Sequence, residues 1–175
     1  MSLILYASPL GAIAEACHNL WDDFEAAGLS TTAQTYPPHV TLTGFFDVSR
    51  HRVADVRAQT EAWASALPRQ RPTRFSPVVE RGEGPDWIGL LVSSEVFEAL
   101  AHDFAVAIEP VAVRRKTDLH LSLAYGQRIN AKQRALIDKH LDGVQLKTRN
   151  WELALWERDD AHAWTRLAST TLSFG

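Results

Sequence analysis

The fold is decided by "PPHVTLTGFF", residues 37–46, and by its echo "DLHLSLAYG" at residues 118–126. Both read as strands, because apolar and polar residues alternate with the period of a sheet that has one buried face. In the first, His39, Thr41 and Thr43 fall on one face, with Val40 and Leu42 on the other. In the second, His120 and Ser122 share a face opposite Leu119, Leu121 and Leu123. Each strand therefore carries an imidazole and then a hydroxyl about 7 Å further along. A buried polar front needs partners or water. Two such fronts facing each other predict a wet cleft between two lobes.

That chemistry suits a phosphate. A hydroxyl can donate to a non-bridging oxygen, and an imidazole can hold or deliver a proton near neutral pH. Two histidines flanking a phosphorus can serve as general base on water and general acid on the leaving oxygen, with no cofactor or metal. A zinc site would want a third nitrogen, sulfur or carboxylate ligand, which the pattern lacks. A single His-x-Thr is ordinary strand decoration. Two copies, on matching elements in the two halves of the chain, carry the argument.

Outward from the motifs, "LILYAS" at residues 3–8 reads as a buried strand, followed by a helix with Ile13, Cys17, Leu20, Trp21 and Phe24 on one stripe and Gly28 at its end. A second helix covers 47–68, with Ser49 as N-cap and Pro68 beyond its end. Residues 73–94 read as two strands around a Gly/Pro turn. A third helix runs from Ser94 to Ile108, with Val96, Phe97, Leu100 and Phe104 on its stripe, and a fourth from Asn130 to Leu141. Closing strands are expected near 144–157 and 162–173, joined by "ERDDAHA". The element pattern strand–helix–motif strand–helix–strand occurs twice. It predicts an α+β fold with two lobes of antiparallel sheet flanked by helices, related by a pseudo-twofold, within one domain spanning 1–175.

Bulk properties narrow the function. The 175 residues are 46% hydrophobic and 22% charged, the composition of an ordinary globular protein. A net charge of −3 argues against binding long nucleic acid but permits a small phosphorylated ligand. Cys17 is the only cysteine, so no internal disulfide can form, which fits a reducing compartment. Its place in a helical stripe marks it as a packed thiol rather than a nucleophile. No apolar run approaches the roughly 20 residues of a membrane span, and "MSLILYASPLG" lacks the basic region of a signal peptide. A cytoplasmic monomer with a small-molecule substrate and no membrane partner is expected.

With the motifs in hand, the chain resembles the two-histidine (2H) phosphoesterase superfamily, and within it the cyclic phosphodiesterase branch. The resemblance runs through "LILYASPL", "YPPHVTLTG", "WIGLLVSSEVFEAL", "DLHLSLAYG" and "LALWERDDAHAWTRLASTTL". It implies a bilobal 2H phosphoesterase fold with a central groove, and metal-independent opening of small ribose cyclic phosphates such as 2′,3′-cyclic nucleotides or ADP-ribose 1″,2″-cyclic phosphate. It further implies that His39 and His120 are catalytic and that Thr41 and Ser122 bind phosphate. Tyr125 matches an aromatic after the second motif, although its odd spacing from His120 puts it on the wrong face of a regular strand. Tyr6 and Trp87 match aromatics near the groove, where either could stack on a base or simply pack. "RRKTD", residues 114–118, could steer a phosphate or be a solvated strand end. His120 is read as the base and His39 as the acid, with the near-symmetry of the motifs leaving the reverse open. Two rivals stand beside this reading: an enzyme acting on RNA 2′,3′-cyclic phosphate ends, or ligating RNA, and a cyclic-nucleotide-binding module without turnover.

Overall fold

In the computed structural model, which describes residues 1–70, 78–146, 148–159 and 163–174, strand β1 (Ser2–Pro9) lies near the middle of an eight-stranded sheet. It is flanked by β2 (Val40–Thr41) and β7 (Asn150–Arg158), and β8 (Trp164–Ser173) closes that edge. On the other side of β2 come β6 (His120–Tyr125), β5 (Trp87–Ser93) and β4 (Val78–Gly84). The short β3 (Phe46–Asp47) also pairs with β1. All these pairings are antiparallel. The α+β class is as expected.

The two motif strands do not face each other across a gap. They are hydrogen-bonded neighbours, with Val40 opposite Leu121, so their polar fronts lie side by side. Thr43 departs from the front: it is fully buried, and its hydroxyl accepts a hydrogen bond from the Leu5 amide at 3.0 Å. The cause is a change of partner. The Leu42 amide still donates to β1, but the Leu42 carbonyl and the Gly44 amide bond Lys116 and Arg114 instead. Strict alternation therefore ends after Thr41.

Helix α1 (Ala12–Ala26) stops as its sequence requires. Gly28 takes φ +67°, and the Leu29 and Gly28 amides return to the Phe24 and Glu25 carbonyls, a closure that favours glycine at the left-handed position. Helix α2 (Val53–Gln70) runs past Pro68, and Ser49 instead precedes a 3₁₀ turn over Arg50–Arg52 without capping it through its side chain. Helix α3 (Glu95–Ala107) is capped by Ser94, whose hydroxyl accepts from the Phe97 amide. Helix α4 (Ala131–Leu141) opens with an Asn130/Gln133 capping box, two backbone donors being satisfied reciprocally. The first closing strand begins at Asn150 rather than near 144, and residues 73–77 and 160–162 of the expected strands and turn lie outside the described residues.

The apolar stripes of the helices, the strand residues Leu3, Leu5, Val40, Leu121, Leu123, Leu153 and Leu155, and Leu42 just beyond β2 form one core cluster. Cys17 belongs to it, fully buried, and burial pushes its thiol up to about 12; it is a packing residue. Tyr6, Thr41, His120 and Ser122 stand outside that cluster. Among the described residues no helix is long and apolar enough to cross a membrane.

Candidate active site

The Val40–Leu121 register interleaves the motifs: His39 stands across from Ser122, and Thr41 across from His120. The histidines are thus diagonal neighbours, a spacing of about 7–8 Å between strand positions. Both rings are anchored alike. His39 Nδ1 lies 2.8 Å from the Pro37 carbonyl oxygen, and His120 Nδ1 2.9 Å from that of Asp118, each two residues back along the chain. A carbonyl only accepts, so in both rings Nδ1 carries the hydrogen and Nε2 is left to do chemistry.

Their surroundings differ. His39 is partly buried, with Tyr6 stacked on it at 3.7 Å between ring centroids and Tyr36 edge-on at 5.7 Å. Burial, aided by the neighbouring His120 charge and opposed by the Pro37 bond, pushes the His39 imidazole down to about 4. His120 is exposed, with the Trp87 indole edge-on at 5.4 Å. Trp87 Nε1 also donates to Ser122 Oγ at 2.9 Å. Because an indole N–H only donates, this contact occupies a lone pair of the serine and leaves its O–H free for an anion.

A cavity of about 270 Å³ opens over these groups, lined by Trp21, Ala33, Tyr36, Pro37, His39, Thr41, Trp87, His120, Ser122 and Tyr125. Six of the seven residues singled out in the sequence are therefore brought together. The seventh, Tyr6, is not in the wall: it is 2% exposed and has its face against His39, so it offers a base no open surface.

Tyr125 reaches the cavity through a bulge. Ile88 pairs with Ala124 but Gly89 pairs with Ser122, which leaves Leu123 unpaired on β6. One extra residue reverses the alternation beyond it, so Tyr125 returns to the face of His120 and Ser122. Thr31 then fixes it: the Tyr125 amide donates to Thr31 Oγ1 at 2.8 Å, and that hydroxyl donates to the Tyr125 carbonyl at 3.2 Å. Thr31 also caps the 3₁₀ turn Thr32–Thr35, which delivers Tyr36 to the cavity.

Tyr36 had no role in the sequence reading. Its only local signal is its place just before Pro37-Pro38 and the first motif. All three tyrosines of the chain meet here. Burial, then the proximity of Tyr36 and a hydrogen bond with it, raises the Tyr125 hydroxyl, and burial raises that of Tyr6; both stay protonated as donors. Trp21, expected as core, is 7% exposed, donates to the Leu123 carbonyl and also contributes to the cavity wall. The basic run lies outside that wall: Arg114 packs over Gly44, and Arg115 reaches His102 at 3.3 Å. Among the described residues no three of His, Cys, Asp or Glu gather as metal ligands do.

No family model matches the chain, and no curated protein matches it in sequence. In three dimensions it is similar to a solved structure described as a phosphoesterase. The TM-score is 0.51 with 13% identity, and the match covers 98% of each chain. The chain shares the fold of that phosphoesterase along nearly its whole length.

Proposed function

We propose that the protein is a metal-independent cyclic phosphodiesterase of the two-histidine kind, hydrolysing a small ribose cyclic phosphate to a phosphomonoester. One observation carries this reading: two imidazoles with the same Nδ1 anchor, interleaved with two hydroxyls, line one cavity. The likeness to a phosphoesterase fold supports it. The order of the sheet also supports reading the halves as two pseudo-twofold lobes, since each motif strand lies beside an earlier strand of its own half.

In this mechanism Thr41 and Ser122 donate to the non-bridging oxygens of the phosphate. His39 is the base, reversing the order first read from the motifs: an imidazole that burial keeps neutral can accept a proton from water. As the water oxygen bonds to phosphorus, its proton moves to His39 Nε2. The phosphorus–oxygen bond to the ribose breaks, and that oxygen takes a proton from His120 Nε2. Solvent exchange then restores both rings.

The direct test is a panel of 2′,3′-cyclic nucleotides, 3′,5′-cyclic nucleotides and ADP-ribose 1″,2″-cyclic phosphate, assayed with chelator present. Turnover of a 2′,3′ or 1″,2″ ester that survives the chelator is expected. Absence of turnover across the panel refutes the enzyme reading, and tight retention without turnover favours a binding module.

A pH dependence follows from His39. Protonating the base removes activity, so kcat/KM falls on the acid side as pH drops through about 4. A bound phosphate anion favours imidazolium, so the acid limb of kcat is expected at higher pH than that of kcat/KM. The fold loses stability as pH falls from the ordinary imidazole range towards about 4, because the unfolded chain takes up the proton first. NMR titration of the His39 ring checks the midpoint.

A further inference from the structure

The cavity is small for its proposed task. At about 270 Å³ it sits below the usual range for ligand pockets, roughly 300–1,000 Å³. The reacting ribose phosphate of a larger ester would fill it and leave the remainder outside. The structure has a prepared surface beside His39 for that remainder. Trp164 packs edge-on against Tyr36 at 5.2 Å and lies 6.1 Å from Tyr6, the ring stacked on His39. Phe45 is next, 5.9 Å from Trp164 and 44% exposed. The Arg158 guanidinium stands 4.5 Å from the Phe45 ring centre and 6.0 Å from that of Trp164. No carboxylate among the described residues pairs with Arg158.

We infer that Phe45, Trp164 and Arg158 form a second subsite, which takes a phosphate-linked aromatic base attached to the ester being cleaved. A guanidinium with no carboxylate partner among the described residues is suited to a phosphate, to which it donates in a planar fork. The exposed Phe45 ring and the half-buried Trp164 ring are suited to stacking on a base without regard to its identity. The subsite joins the cavity through Tyr36, so one ligand can occupy both. This inference rests on the phosphoesterase reading for what fills the cavity, but its test does not require turnover.

The test compares the calorimetric affinity of the full chain for deoxyadenosine 3′-phosphate and for the dinucleotide d(ApAp), neither of which is a cyclic ester. The dinucleotide is expected to bind at least about tenfold more tightly. Arg158→Gln should remove most of that gain and reduce the salt slope of binding by about 0.7, with Arg158→Lys restoring part of the affinity. Phe45→Ala should weaken the dinucleotide by about tenfold more than the mononucleotide. A third arm, ADP-ribose 2″-phosphate, separates the sources: a gain with it alone assigns the subsite to a pyrophosphate link, and a gain with the dinucleotide alone assigns it to a phosphodiester link. Equal affinities of wild type for the short and both extended ligands overturn the subsite, as does a gain that survives both Arg158→Gln and Phe45→Ala. The proposed activity fails in a different assay, the cyclic phosphate panel.

Discussion

Replacing His120 with alanine is expected to lower kcat for a ribose 2′,3′-cyclic phosphate by about 10²–10⁴-fold, the usual yield of one positioned acid or base. His39→Ala should cost as much, and the double variant much less than the product of the two, because the rings act on one displacement. Folding is not the cause for His120, which is exposed and whose ring makes one backbone hydrogen bond. For His39 the stacked Tyr6 loses its partner, so circular dichroism should accompany the kinetics. The pH profiles of the variants distinguish the roles. His39→Ala should abolish the acid limb and His120→Ala should leave it in place, if His39 is the base. The opposite pattern would reverse the assignment, and residual rates within tenfold of wild type for both variants would remove the histidines from the mechanism altogether.

The part of this site that was legible in the sequence is the part governed by alternation. His39 and Thr41, and His120 and Ser122, obey the period of two, and the structure places all four around one cavity. Alternation is a local rule, so it failed where long-range partners intervene. Thr43 left the polar front because the Leu42 carbonyl and the Gly44 amide on either side of it bond Lys116 and Arg114 rather than β1. Tyr125 joined that front because β5 opposes β6 with one residue too few. Nothing in "HLSLAY" itself signals the bulge. The relation between the motifs was equally hidden. Two amphipathic strands can face each other or lie side by side, and only the Val40–Leu121 pairing decides it. Tyr36 escaped notice because its position depends on Thr31 bonding Tyr125, residues 94 apart in the chain.

The bulge leads to the second large effect, at a residue with no side chain. Gly89→Ala is expected to destabilise the fold by about 1–3 kcal/mol, the cost of overpacking a close contact, which for a chain of this size lowers Tm by about 2–12 °C. A Cβ at Gly89 would collide with the Leu121 carbonyl oxygen and stand 2.6 Å from Cζ2 of Trp87. The first obstacle is backbone of a motif strand; the second is the ring that holds Ser122. Relief therefore requires β5 to shift from β6, and Trp87 to swing off the notch that Gly89 provides. Either movement breaks the 2.9 Å bond from Trp87 to Ser122 and disturbs the ring edge beside His120. Activity should consequently fall even well below the melting temperature, with Trp87 fluorescence reporting the displaced indole. Gly84→Ala, in the neighbouring strand, is the matched control: its nearest neighbour would be 3.9 Å away, so a stability change within about 0.5 kcal/mol is expected. Equal behaviour of the two variants would mean that the notch at Gly89 does not hold Trp87 against Ser122.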